Sequence, residues 1–101
     1  MSLQKNIDRA ANVSFPGHAV IDGALVDARS GKTFQNIGPR DGKVLNDVAS
    51  CDAEDVDAAV KAARAAFEDG RWRLKTPREK KKIMFWLAEL MERDLEELAF
   101  L

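Results

Sequence analysis

The chain has 101 residues, of which 46% are hydrophobic and 33% are charged, and its formal net charge is −1. These totals are typical of one small globular domain and exclude a disordered or fibrous chain. The balanced charge argues against nucleic acid or an anionic membrane as a partner. No uncharged apolar run approaches the length of a membrane span. The single cysteine, Cys51, cannot form an internal disulfide, which favours a reducing compartment and predicts a cytoplasmic protein.

Residues 1–18 are weakly patterned and predict an N-terminal surface arm with one or two helical turns. Pro16 and Gly17 end any regular element there. The first three residues resemble an expression remnant, so we leave them out of the fold prediction.

Residues 19–27 form a short apolar stretch that is interrupted by the pair Asp22 and Gly23 and ends at Asp27. Such a pair favours a two-residue hairpin turn, because a type I′ turn needs positive φ angles. A bulge or kink in a single strand is the alternative, since each arm of the hairpin is very short.

Two further strands are predicted on either side of a second turn. Residues 33–37 alternate apolar and polar side chains, and residues 44–49 supply the returning strand. Between them, the Pro and Asp-Gly of residues 38–43 are typical of a tight turn. Residues 19–50 therefore predict a meander of short antiparallel strands, which needs a helix or further sheet to cover its apolar face.

An Ala-rich amphipathic helix is predicted over residues 52–67. Asp52 has the character of an N-cap, and Asp55 lies three residues later, as in a capping box. Gly70 is placed to end this helix in a left-handed conformation. Helical spacing predicts a buried stripe made of Val56, Ala59, Val60, Ala63 and Phe67.

A second helix begins at Thr76-Pro77, with Glu79 completing a capping box. Asp94 indicates a break between two helices, because a fresh acidic start follows it. The apolar face of this region comprises Ile83, Met84, Leu87, Leu90, Met91, Leu95 and Leu98. The apolar residues 98–101 carry no helix stop signal, from which we expect a chain cut from a longer protein.

The residues with reactive side chains do not form a catalytic constellation. Cys51 precedes a helix, but the acidic residues that follow it oppose a thiolate, so a catalytic role is disfavoured. His18 has no second histidine or cysteine pair at ligand spacing, which favours a solvated or locally hydrogen-bonded histidine over a metal ligand.

The lysines of residues 80–82 are spread around a helix, which favours a solvated face over a phosphate or nucleic-acid site. Trp72 and Trp86 are more typical of packing anchors than of ligand-stacking residues.

The order of motifs along the chain is more informative than any one of them. The motifs are V-I-D-G-A-L-V (20–26), S-G-K-T-F (30–34), I-G-P-R-D-G-K-V-L (37–45), D-A-E-D-V-D-A-A-V-K-A-A-R-A-A-F (52–67), T-P-R-E-K (76–80) and L-A-E-L-M-E (87–92). Together with Trp72, this string resembles the amino-terminal region of the NAD(P)-dependent aldehyde dehydrogenase superfamily, in the gamma-glutamyl-gamma-aminobutyraldehyde or betaine-aldehyde branches. The resemblance covers about residues 19–101.

The resemblance implies an α/β fold in which this segment is the incomplete start of a coenzyme-binding domain. It implies a homo-oligomeric enzyme, a dimer or tetramer, that oxidises an aldehyde to a carboxylic acid with NAD or NADP. The catalytic cysteine, the glutamate base and the cofactor-binding residues of the family lie downstream. No catalytic or cofactor-binding residue is therefore assigned, and the segment is expected to be inactive by itself.

The resemblance also implies a monovalent-cation site for Na⁺ or K⁺, with Asn36 and Ile37 as the matching positions. Two departures affect local contacts: Gly38 replaces the usual Asn before Pro39, and Lys80 replaces a frequent arginine. The competing hypothesis is a self-contained small helical and β interaction module without catalytic activity.

Overall fold

The computed structural model describes residues 2–101. In this range the order of elements is α1 Leu3–Ala11, β1 Ala19–Ile21, β2 Ala24–Val26, β3 Thr33–Ile37, β4 Val44–Ala49, α2 Ala53–Glu68, α3 Pro77–Arg93 and α4 Leu95–Phe100. The chain divides into two compact units. We call residues 14–69 the hairpin unit, and residues 2–13 with 70–101 the helical unit.

The first hairpin pairs β1 with β2 in antiparallel register, with Ala19 opposite Val26. The turn residues Asp22 and Gly23 have φ angles of 53° and 75°. Two successive positive φ angles are what a type I′ turn requires, and its twist matches that of the strands. The predicted hairpin is confirmed, and its regular register excludes the alternative of a bulged single strand.

The second hairpin pairs β3 with β4, and its register shifts between Asn36 and Ile37. Asn36 pairs with Asn46 while Ile37 pairs with Val44, so Leu45 is the extra residue of a bulge. The predicted strands are confirmed. Within residues 2–101 they form two separate two-stranded sheets rather than one continuous meander.

Helix α2 begins with the predicted capping box between Asp52 and Asp55. The predicted stripe is not buried within residues 2–101, because its large side chains Val56, Val60 and Phe67 are 55%, 59% and 56% exposed. The less exposed face lies about 100° around the helix and comprises Asp55, Ala58, Ala59, Ala62 and Ala66. Alanines permit close approach of backbone, and α2 contacts β1 in this unit.

In the helical unit, α1 is capped by Ser2, whose Oγ accepts a hydrogen bond from the N–H of Lys5 at 3.3 Å. The helix has nine residues and begins at Leu3, so the regular structure of the arm starts earlier and runs longer than predicted.

Helix α3 begins with the predicted capping box of Thr76 and Glu79, with Pro77 in its first turn. The predicted break at Asp94 is confirmed, since α4 follows directly. Asp94 caps no amide of α4 with its side chain. It instead receives two hydrogen bonds from Arg93, at 2.8 and 2.7 Å.

Candidate functional site

The predicted cation-site residues lie at the bulge of the second hairpin. Asn36 Nδ2 donates to Asn46 Oδ1 at 3.1 Å, and Asn46 Nδ2 donates to the carbonyl of Phe15 at 3.0 Å. This row of amides connects β3, β4 and the segment before β1. The side-chain nitrogens are thus used in holding the bulge, while Asn36 and Ile37 each also carry a main-chain oxygen.

Those main-chain oxygens have the right chemistry for a hard monovalent cation, which prefers oxygen ligands. A bulge also interrupts the regular spacing of backbone carbonyls along a ladder. Residues 2–101 contain no group of three His, Cys, Asp or Glu side chains placed to hold a metal ion. A cation at the bulge would therefore require oxygen ligands in addition to those of Asn36 and Ile37.

Asp55 is the carboxylate with the most specific surroundings in the hairpin unit. Its side chain is only 4% exposed and accepts hydrogen bonds from the N–H of Asp52 at 3.0 Å and of Arg29 at 3.1 Å. These bonds, that from Asp52 first, hold the pKa of Asp55 below its ordinary value of 3.8. The hydrogen bond from Asp52, which is part of the capping box, was predicted from the sequence. The hydrogen bond from Arg29 was not predicted, because no sequence pattern links two residues that lie 26 positions apart.

His18 lies at the open end of the first hairpin. Its Nδ1 lies 2.8 Å from Oδ1 of Asp27, so the prediction of a locally hydrogen-bonded histidine is confirmed. The pair borders a surface cavity of about 280 Å³ that Lys32 and Asp47 also line. Since both members are well exposed, the pair joins the hairpin ends across solvent-accessible surface.

Cys51 is a free and exposed cysteine just before α2. It directly precedes Asp52, the N-cap residue of that helix.

Lys80 and Lys81, two lysines of the basic run at residues 80–82, contact different aromatic rings, as expected for residues spread around a helix. The ammonium group of Lys80 lies 5.7 Å from the ring centre of Trp72, and that of Lys81 lies 5.6 Å from Phe85. Trp72 and Trp86 are 46% and 64% exposed within residues 2–101. The prediction that they act as packing anchors rather than ligand-stacking residues stays a prediction.

In the part of the chain that the structure describes, residues 2–101, no helix is both long and apolar enough to cross a membrane.

Comparison with known proteins gives a consistent assignment. Residues 25–101 match the aldehyde dehydrogenase family. Aminoacetaldehyde dehydrogenase of Pseudomonas aeruginosa is 53% identical over 90 residues, which are 89% of this chain and 18% of that protein. The crystal structure of gamma-glutamyl-gamma-aminobutyraldehyde dehydrogenase from Burkholderia cenocepacia superimposes with a TM-score of 0.92 at 43% identity, covering 99% of this chain and 20% of that one. AldA indole-3-acetaldehyde dehydrogenase of P. syringae, solved with NAD⁺ and IAA, gives a TM-score of 0.91 at 42% identity, with the same two coverages.

The chain therefore belongs to the aldehyde dehydrogenase family. The family and the partial α/β fold inferred from the motif order are confirmed. The chain spans about a fifth of the length of these relatives.

Proposed function

We propose that this chain is the amino-terminal portion of a coenzyme-binding domain in an NAD(P)-dependent aldehyde dehydrogenase, which oxidises an aldehyde to a carboxylic acid. The observation that carries the proposal is the family match over residues 25–101, together with superposition of 99% of the chain on solved enzymes. The chain itself has the role of a scaffold. Its helices and hairpins support chemistry performed by residues of the remaining domain.

The exposed apolar stripes support this role over that of a self-contained module. On α2, Val56, Val60 and Phe67 are more than half exposed, and on α3 the same holds for Met84 and Met91. Amphipathic helices of globular proteins bury such stripes against neighbouring elements. Further chain of the same domain would supply those elements.

For the cofactor we propose NAD, since the AldA neighbour was solved with NAD⁺, with NADP as the alternative acceptor. For the substrate class we propose aldehydes. The relatives name aminoacetaldehyde, gamma-glutamyl-gamma-aminobutyraldehyde and indole-3-acetaldehyde as starting points for a panel. A homo-oligomer and a cytoplasmic location complete the proposal. The free, exposed Cys51 supports the location, because such thiols suit a reducing compartment.

The test is an assay of the protein that carries this chain at its full natural length. Formation of NADH or NADPH is followed at 340 nm with each aldehyde of the panel and each nucleotide. Aldehyde-dependent reduction of either nucleotide is the expected result. Absence of reduction with every aldehyde, in a protein shown to be folded, would overturn the proposal. The isolated 101-residue chain is the matched control and is expected to be inactive.

We further propose that the main-chain oxygens of Asn36 and Ile37 contribute to a Na⁺ or K⁺ site, whose acidic ligand lies downstream of residue 101. The bulge at these residues supports the proposal. Crystals of the full-length protein grown with Tl⁺, an electron-rich stand-in for K⁺, should show anomalous density at the bulge. Density with the distances of water, unchanged between Na⁺ and Tl⁺, would reject it.

A further inference from the structure

Strand β4 has two edges, and only one of them pairs with β3. Neighbouring residues of a strand direct their backbone groups to opposite edges. The N–H of Ser50, just past the end of β4, donates to the carbonyl of Lys32 at 2.8 Å on the β3 side. The N–H of Ala49 therefore points to the other edge, which we call the outer edge. No strand within residues 2–101 pairs with it.

Residues 15–17, in the irregular segment between α1 and β1, lie along the outer edge. The N–H of Ala49 donates to the carbonyl of Gly17 at 2.7 Å. Two residues earlier in β4, the carbonyl of Asp47 lies so close to Gly17 that a Cβ on this glycine would collide with it. Asp47 and Ala49 direct their backbone groups to the same edge, so both contacts place the segment on the side of β4 that faces away from β3.

The side chain of Asn46 fastens this segment at Phe15. Its Nδ2 donates to the carbonyl of Phe15 at 3.0 Å, and its Oδ1 accepts from Nδ2 of Asn36 at 3.1 Å. A backbone carbonyl can only accept a hydrogen bond, so Asn46 must turn its NH₂ group to Phe15 and its oxygen to Asn36. An ionised aspartate, which only accepts, cannot make both contacts. One amide thus joins β3, β4 and the segment.

These contacts are those of a cover for a strand edge. An open edge presents unpaired N–H and C=O groups with which any extended chain can pair, and a covering loop is one device that prevents this pairing. Residues 15–17 engage the outer edge through a main-chain hydrogen bond, a side-chain hydrogen bond and a close backbone approach at glycine.

We propose that residues 15–17 are a strap that closes the outer edge of β4 against pairing with other chains, and that Asn46 holds the strap in place. Release of the strap frees the N–H of Ala49 and uncovers the carbonyl of Asp47. These groups face the same edge, and an extended chain could pair with both. The inference concerns the fold and does not rest on the proposed activity.

Hydrogen exchange of two adjacent amides in the full-length protein tests the strap. Asn46→Asp keeps the shape of the side chain and its acceptor oxygen but removes the donor to Phe15. Exchange of the Ala49 N–H should become about tenfold faster, because loosening the strap removes its acceptor. Exchange of the Ser50 N–H, which bonds towards β3, should stay within about twofold of the wild type. Mass spectrometry with electron-transfer fragmentation resolves the two amides.

A second variant and a matched control complete the series. Gly17→Ala displaces the strap by a steric clash and should give the same pattern, with fast exchange at Ala49 and retained protection at Ser50. In α1, Nδ2 of Asn12 donates to the carbonyl of Asp8 at 2.7 Å. Asn12→Asp removes this bond of the same kind and should leave exchange at Ala49 unchanged. Unaltered far-UV circular dichroism shows that each variant is folded.

Light scattering at increasing protein concentration measures pairing between opened edges. Asn46→Asp and Gly17→Ala should aggregate faster than the wild type and Asn12→Asp. The proposal is overturned if Ala49 exchanges at the wild-type rate in both strap variants, or if Ala49 and Ser50 lose protection together, since β4 then opens as a whole. Faster exchange at Ala49 without faster aggregation would also overturn it, because the open edge would then need no cover.

Discussion

The hairpin unit and the helical unit hold their shape by different kinds of hydrogen bond. In the hairpin unit the bonds join segments far apart in sequence, such as Asn46 to the carbonyl of Phe15 and the N–H of Ala49 to the carbonyl of Gly17 at 2.7 Å. In the helical unit they are mostly local, as in the capping box of Thr76.

This difference indicates which kinds of mutation should reduce the stability of each unit. Short strands have few ladder bonds, so remote polar contacts and close backbone approaches must fix their positions. Helices satisfy their own backbone and need partners mainly to cover apolar side chains. Substitutions that obstruct a backbone approach in the hairpin unit should therefore cost more than those that remove a surface contact in the helical unit.

The largest effect is expected at Gly17. A Cβ added there would collide with the main-chain carbonyl of Asp47, a backbone group within β4. Gly17→Ala should destabilise the protein by about 3 kcal/mol, in the upper range for overpacking. Urea unfolding measures the change. Gly31→Ala is the control, since its Cβ meets no atom within 4 Å and only its φ of 71° is strained. Equal losses in the two variants would contradict the steric explanation.

The next effect concerns Asp55. The two oxygens of the nearly buried Asp55 carboxylate each accept one hydrogen bond, so Asp55→Asn removes the acceptor of one N–H group. It should lower stability several-fold more than Asp57→Asn, an exposed control on the same helix. Thermal unfolding at pH 7 makes the comparison.

The pH dependence of Asp55 follows from its lowered pKa. The folded state binds the proton less readily than the unfolded state, so the stabilisation is complete above the ordinary value of 3.8 and is lost as pH falls through the folded pKa. The stability gap between the wild type and Asp55→Asn should narrow below about pH 4. A gap that stays constant down to pH 2 would show that the pKa of Asp55 is not lowered in the folded protein.

A smaller effect is expected at Gly70, which follows α2 with a φ of 77°. Gly70→Ala should cost about 1–2 kcal/mol, because a Cβ is disfavoured in the left-handed region. Its contact with the side chain of Leu74 adds little, since that side chain is 69% exposed and free to move. Gly70→Asn is the matched variant and should retain more stability, because Asn tolerates this conformation. If Asn proves as costly as Ala, the backbone conformation is not the cause.

The smallest effect is expected at the surface of the helical unit. Arg9 pairs with Glu96 at 3.1 Å and lies 5.6 Å from the Phe100 ring. Arg9→Met should cost less than about 1 kcal/mol, and 0.5 M salt should reduce the cost further. Lys5→Met, one turn earlier on α1, is the control. A loss of stability in Arg9→Met as large as that in Gly17→Ala would contradict the expectation that surface contacts of the helical unit matter less than backbone approaches in the hairpin unit.

What the sequence predicted well is local. The caps of α2 and α3 and the turn at Asp22-Gly23 each depend on residues within a few positions of one another, so their signals are complete in the sequence. The burial of the α2 stripe was less predictable, for the opposite reason. Periodicity shows which apolar residues share a face, but elements distant in sequence determine which face is covered, and within residues 2–101 the less exposed face of α2 carries Asp55 and alanines.

The candidate site was predictable to a lesser degree. Asn36 and Ile37 came from resemblance, and the partner of Asn36 depends on a register that the bulge shifts by one residue. The bond between Arg29 and Asp55 has no periodic signal either.

The exposed tryptophans have a spectroscopic consequence. The chain has two tryptophans and no tyrosine, and both tryptophans, Trp72 and Trp86, belong to the helical unit. Tryptophan emission from this segment therefore reports on the helical unit, and the hairpin unit contributes no tryptophan or tyrosine signal. Because both tryptophans are exposed to solvent, their emission maximum is expected at longer wavelengths. A shift of the Trp86 emission to shorter wavelength would therefore show that another surface covers this side chain.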